Sequence, residues 1–162
     1  MTDRTSPVRL AEITPDLRAA VAGLEVAPSQ RRYVASNARS LADSDGVPGA
    51  WARAILAGGE PVGFVLLFDP TQEGAVARGP ITTGQLGLWR LMIDRRHQRR
   101  GHARGALDLV CDHARERGGF TELLSSCVPG PDGPEAFYLG YGFRPTGRRR
   151  NEGREIEIVL PL

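Results

Sequence analysis

Apolar residues recur along this chain with two different spacings, and the switches between them mark out the elements. Residues 8–13 read as a strand. Thr14-Pro15 then supplies an N-cap and a proline at the first helical position, with Leu17, Val21 and Leu24 along one face of a short helix. Ser29 is a second N-cap candidate, ahead of a helix carrying Tyr33, Val34, Asn37 and Leu41 and closed by Asp43-Ser44-Asp45-Gly46. Residues 51–56 and 62–68 flank Gly58-Gly59, the signal of a hairpin between two strands. Residues 69–84 are rich in Gly, Pro and Thr and keep neither period, which predicts a long exposed loop.

The second half alternates strand and helix. Residues 86–93 form an apolar strand, and a helix runs from near Arg100 to Gly118-Gly119 with Ala103, Leu107, Val110 and Ala114 as its inner stripe. Residues 120–128 read as another strand. A short helix over 135–140 follows, with Pro134 suited to its first position and Gly142 to its stop. Residues 144–149 and 155–160 make a last hairpin through Asn151-Glu152-Gly153. This order predicts an α+β or mixed α/β domain with a mostly antiparallel sheet over 8–162, preceded by a tail over 1–7.

Composition narrows the function classes. The 162 residues suffice for one domain, and 41% hydrophobic with 25% charged is ordinary for a soluble protein. No apolar run approaches the ~20 residues of a membrane span, and the N-terminus lacks an apolar signal core, so a cytoplasmic protein is expected. A net charge of +2 does not suggest a nucleic-acid partner. Cys111 and Cys127 are too few for a disulfide framework and read as buried thiols. No carboxylate or thiol set has metal-ligand spacing, so no metal is expected. All 21 basic residues are arginine, and six of them fall between Arg90 and Arg104.

That cluster surrounds the chemistry-bearing turn. Gln98-Arg99-Arg100-Gly101-His102-Ala103 follows a strand and opens a helix, so unpaired backbone N–H groups and the helix dipole face whatever sits there. Arg95, Arg96, Arg99, Arg100 and Arg104 add to the field, which suits an anion. The G-x-G-x-x-G and P-loop patterns are both absent. His97 and His102 read as exposed turn residues, His113 as a surface residue, and Arg148-Arg149-Arg150 as a solvated edge.

Further on, Tyr138 stands five residues before Phe143 in Phe137-Tyr138-Leu139-Gly140-Tyr141-Gly142-Phe143. Together the two stretches resemble the GNAT superfamily of acetyl-CoA-dependent N-acetyltransferases. Gln98-Arg99-Arg100-Gly101-His102-Ala103 is similar to that family's Arg/Gln-x-x-Gly-x-Gly/Ala motif. A softer resemblance, to the spermine/spermidine-type branch, rests on Ala27-Pro28-Ser29-Gln30, Asn37-Ala38-Arg39-Ser40-Leu41 and Leu88-Trp89-Arg90-Leu91-Met92-Ile93-Asp94. The resemblance implies a six- to seven-stranded sheet flanked by about four helices, acetyl-CoA as co-substrate, a small-molecule amine as acceptor, and a homodimer by analogy.

It also implies roles. The coenzyme A pyrophosphate would lie on the Gln98, Arg99, Arg100, Gly101, His102, Ala103 and Arg104 turn, and the pantetheine arm beside Leu91, Met92 and Ile93. An amide of Ile93 or Met92 would face the thioester oxygen, and Tyr138 would protonate the departing thiolate. Polyamine-like acceptors would need a carboxylate lining, for which Glu12, Glu25, Asp43 and Asp45 are candidates. Antibiotic amines, amino acids and protein N-termini are the alternative acceptors, and a non-catalytic acyl-CoA-binding module is the reading from another class. Two positions depart from the family. Gly87 stands near the place of a common Glu base, leaving Asp94, Glu122 or water as candidates. Pro131 stands where relatives carry an Asn, with Asp132 as a possible substitute.

Overall fold

The computed structural model describes residues 7–77, 79 and 81–162. The predicted tail, Pro7 apart, lies outside the described residues, as do Arg78 and Pro80 of the long loop. The elements are β1 (Val8–Glu12), α1 (Pro15–Ala22), α2 (Asn37–Ser44), β2 (Ala50–Ala57), β3 (Glu60–Phe68), β4 (Gln85–Ile93), α3 (His102–Arg117), β5 (Glu122–Cys127), α4 (Glu135–Tyr141), β6 (Arg144–Arg150) and β7 (Glu155–Pro161). Seven strands make one sheet in the order β1-β2-β3-β4-β5-β7-β6. Every neighbouring pair is antiparallel except β4 with β5. The predicted fold class holds.

Local chemistry explains most element ends. Thr14 Oγ1 accepts from the Leu17 amide at 3.3 Å, with Pro15 directly after it. The helix expected after Ser29 differs. Residues Pro28–Gln30 form a single 3₁₀ turn in which the Gln30 side chain accepts from the Ala27 amide, and helix resumes only at Asn37. Ser36, not Ser29, is the cap, accepting from the Arg39 amide at 3.2 Å. Tyr33, expected on a helix face, instead reaches across to the carbonyl of Pro131. Pro134 also stands one place earlier than expected, at the cap of α4.

The sheet buries both faces. On one, α3 and α4 cover a core built from residues such as Leu86, Leu107, Val110, Leu123 and Phe143. On the other, α1 and α2 pack Val21 and Leu41 onto Phe64, Leu66 and Met92. Each such side chain contributes roughly 1.5–3 kcal/mol by leaving water. Gly63 lets β3 approach β4 closely. A Cβ there would strike the Met92 carbonyl and stand 2.8 Å from Ile93 Cδ1. That close approach fixes the outer end of β4, where the candidate site begins.

Candidate active site

The one parallel pair of strands opens into a fork. β4 and β5 pair only through Gln85, Leu86 and Gly87 with Glu122, Leu123 and Leu124. At the split, Ser125 Oγ donates to the Leu88 carbonyl at 2.9 Å. Beyond it β4 runs on to Ile93, held by β3 on one edge and unpaired with β5 on the other. The Asp94 amide donates to Val62 of β3 at 2.8 Å. Alternation along a strand then turns the peptide groups of Ile93 and Leu91 into the fork and those of Met92 toward β3. The Ile93 carbonyl takes the Gln98 side-chain amide at 2.9 Å, and the same nitrogen donates to Gln30 Oε1 at 2.8 Å. Gln98 therefore ties the turn to β4 and to the segment before α2.

β4 is bulged within the fork. Its register against β3 jumps from Leu66–Arg90 to Leu67–Leu88, which leaves Trp89 as the extra residue. Trp89 lies flat on Phe68, with ring centroids 4.7 Å apart.

At the mouth the chain turns into α3. The Asp94 carboxylate is buried and accepts from the Glu25 amide at 3.0 Å, the Arg96 amide at 2.9 Å and Arg96 Nε at 2.8 Å. Burial alone would raise its pKa, but these donors overcome it and hold the group at about 2. Asp94 is thus a turn residue rather than a base. Arg99 and Gly101 both adopt positive φ, 62° and 79°, and Gly101 caps the sixteen-residue α3. The first helical bond there runs from the Gly105 amide to Gly101, so the amides of His102, Ala103 and Arg104 have no partner within the helix. Arg99, Arg100 and Arg104 are exposed around them. Among the described residues none of the three pairs with a carboxylate; Arg104 stands over the Tyr141 ring at 5.3 Å.

His102 departs from the expected exposed position. As the first residue of α3 its side chain turns inward, is 5% exposed, and its Nδ1 has no hydrogen-bond partner. Burial, then the neighbouring charges of His97 and Arg100, push its pKa down and keep the ring neutral. His97 is half-buried, and so is His113, which stacks on Trp51 with centroids 4.3 Å apart.

Tyr138 comes from α4, on the same face of the sheet as α3. α4 buries it at 6% exposure among Phe137 and Phe143, with ring centroids 5.4 and 5.2 Å away. Burial, then the Cys127 thiol, drives its pKa well above the ordinary tyrosine value, opposed by the charge of Arg90. The phenol therefore stays protonated throughout the neutral range. Cys127 itself is pushed up to about 11 by burial and by Glu135 and Glu155.

The base candidates fare differently. Glu122 takes Gln85 Nε2 at 2.6 Å, at the closed end of the fork. At Gly87 a Cβ would stand 3.4 Å from both Ile81 Cδ1 and Phe68 Cβ, so the long loop fills the space a longer side chain would need. Asp132 is exposed at positive φ.

Three features escaped the reading of the sequence. Tyr33 donates to Pro131 and covers Gly130 and Gly133, where a Cβ would stand 2.8 Å from its hydroxyl and 2.7 Å from its ring. Arg90, in the fork, has a buried Nε without a partner. Glu157 is fully buried, and Arg148, Arg150 and Thr146 all donate to it; burial would raise its pKa, but these donors lower it. A glycine on either side of Pro131-Asp132 was the available signal for Tyr33. Nothing local announced the other two.

Solved structures share this fold. The chain matches an acetyltransferase from Thermus thermophilus with a TM-score of 0.66 at 22% identity, over 96% of this chain and 97% of that one. It matches aminoglycoside acetyltransferase AAC(6')-Ib in complex with coenzyme A with a TM-score of 0.73 at 14% identity, over 95% and 94%. A GNAT family acetyltransferase from Elizabethkingia anophelis with acetyl-CoA bound gives 0.62 at 14%, over 99% and 100%. These identities establish the fold alone. No curated protein matches the sequence. The model of the Acetyltransferase (GNAT) family matches residues 17–143, most of the chain, and the protein belongs to that family. It is an acetyl-CoA-dependent N-acetyltransferase.

The residues fit that co-substrate: β4 has an edge unpaired with β5, the amides that open α3 have no partner within the helix and are flanked by exposed arginines, and the buried His102 imidazole is orphaned. Among the described residues no group of three His, Cys, Asp or Glu side chains is placed to hold a metal. No described helix is long and apolar enough to cross a membrane.

Proposed function

We propose that this domain transfers acetyl from acetyl-CoA to the primary amine of a small molecule by direct attack through a tetrahedral intermediate. The observation that carries the reading is the open edge of β4 that leads into the free amides at the start of α3. In this reading the Arg99, Arg100, Gly101, His102, Ala103 and Arg104 turn receives the pyrophosphate, with Gln98 bracing it. Leu91 and Ile93 offer peptide groups to the pantetheine arm. The inward peptide of Met92 favours Ile93 over Met92 as the donor to the developing oxyanion, a role worth roughly 3 kcal/mol elsewhere. Tyr138 protonates the departing thiolate, burial keeping its phenol protonated until the thiolate forms. No carboxylate is assigned as base.

The acceptor is less constrained than the donor. Polyamines would need unpaired acids, yet Asp45 already pairs with Arg18 at 2.6 Å, Asp43 with Arg39 at 2.9 Å and Glu25 with Arg31 at 3.7 Å. Glu12 in turn lies in the field of Arg53. These four therefore lend a polyamine little support. Antibiotic amines, amino acids and protein N-termini keep the same chemistry with a different wall. A cytoplasmic homodimer remains our expectation, checked by sedimentation.

The test is free-thiol release from acetyl-CoA by the purified protein over a panel of amines of these classes. Release above background with at least one amine is expected. Tight acetyl-CoA binding without turnover on any amine would replace the enzyme by an acyl-CoA-binding module.

A further inference from the structure

Resting on the acetyltransferase reading, we propose that Arg90 anchors a carboxylate on the acceptor, so that the preferred substrate is a small amine carrying its own carboxylate, as an amino acid does. Arg90 pairs with Leu66 across the β3–β4 ladder, and Leu66 belongs to the core under α1 and α2. The Arg90 side chain therefore leaves the sheet on that face and not toward α3. Trp89 packs on the same core. Two consecutive residues thus share one face because of the bulge, which sets a cation at the fork where an unbulged strand would put an apolar residue.

The guanidinium has capacity to spare. Nη1 donates to the Trp89 carbonyl at 2.7 Å. Nε is buried and without a partner, one of only three such side-chain atoms among the described residues. Nε and Nη2 form the side-on edge of the guanidinium, whose two parallel N–H groups match the two oxygens of a carboxylate. A buried donor left unmade is costly, and an arriving acceptor removes that cost. Arg90 as a whole is only part-buried, which leaves a ligand room to approach.

Its neighbours do not compete for it. By strand pairing, Arg150, Glu155 and Glu157 lie on the same face of β6 and β7. Arg148 and Arg150 each reach Glu157 at 2.7 Å, and Glu155 accepts from Asn151. Glu25, Asp43 and Asp45, in and around the first two helices, are matched as well. An acceptor face whose acids are already answered by arginines, with one guanidinium edge left over, selects an anion.

The experiment compares α-amino acids with their own amides and with spermidine, by thiol release with the native enzyme. The amides carry the less basic amine and would react more readily on chemistry alone, so a preference for the acids reports recognition. The acids are expected to exceed their amides in kcat/KM by about 10- to 100-fold, the value of a hydrogen bond to a charged group. Arg90→Gln should erase that ratio by raising KM for the acids far more than for the amides, and Arg90→Lys should restore only part of it. Equal use of acids and amides, or a preference for spermidine, overturns the inference while leaving the acetyltransferase standing. No turnover on any amine, with acetyl-CoA still bound, overturns both. The native comparison decides the matter even if the variants fail to fold.

Discussion

The turn between β4 and α3 and the face of the sheet under α1 and α2 border the same fork, yet one works with backbone and the other with side chains. The turn offers peptide N–H groups set by two positive-φ residues and the start of a long helix. Its ligand is read by charge and reach, so many side chains serve equally well around it. The proposed acceptor side offers Trp89 and Arg90, set on one face by a bulge, and Tyr33 from the segment between α1 and α2, pinned by a cross-loop contact. On the proposed reading, a donor site built from backbone would tolerate sequence change while an acceptor site built from side chains would be rewritten by it.

The sharpest way to break the comparison is at Gly101. At φ 79° any side chain is strained, by about 1–2 kcal/mol, and a carboxylate there would also face the diphosphate. Gly101→Glu is expected to abolish coenzyme A binding in a calorimetric titration while Gly101→Ala only weakens it. Unchanged affinity in the Glu variant would remove the anion from this turn.

Next in size is Tyr138→Phe. The variant keeps the ring among Phe137 and Phe143 but cannot give a proton, so turnover should fall by about 100-fold or more with coenzyme A affinity nearly unchanged. Full activity would take the phenol out of the reaction and leave it a core aromatic.

How much of this could be read beforehand follows the same division. Strands, hairpins and α3 announced themselves by period and by glycine, and the donor turn and Tyr138 by contiguous motifs. The helix expected after Ser29 failed because Tyr33 finds its partner, Pro131, at the far side of the molecule. His102 failed because a turn residue in sequence is also the first residue of a helix, whose inner face points at the sheet. Arg90 was invisible because a bulge changes which face a residue takes, and alternation cannot be counted through an extra residue that nothing announces. Glu157 looked like one acid among many until two arginines of the opposite strand closed on it.

The turn and the acceptor segment also meet, through Asp94, whose carboxylate holds the Glu25 amide and Arg96 together. Its folded pKa of about 2 lies below the ordinary 3.8, so the native state binds fewer protons there than the unfolded chain. The stabilisation is therefore complete above the ordinary value and is lost as pH falls through about 4 toward 2, an effect of about 2 kcal/mol. Asp94→Asn should lower the denaturation midpoint at pH 7, and the difference from the native protein should shrink as the pH is taken down to 3. A difference independent of pH would mean that the side chain acts by shape and not by charge.

The smallest expected effect discriminates most finely between the two regions. A Cβ at Gly133 would stand 2.7 Å from the Tyr33 ring, so Gly133→Ala must move either the ring or the loop before α4. The donor amides are set by the start of α3 and by positive φ at Arg99 and Gly101, and only the Gln98 side chain reaches the segment that carries Tyr33, so coenzyme A affinity should hold. The segment between α1 and α2 is pinned to that loop by Tyr33, and its displacement should raise KM for the acceptor by about threefold, roughly the worth of one modest contact. Tyr33→Phe, which keeps the ring and loses the bonds of its hydroxyl to Pro131 and Arg32, should fall between the native enzyme and the glycine variant. A rise in KM for acetyl-CoA instead would mean that this clasp serves the donor, and that the two regions share a wall where they are taken to be separate.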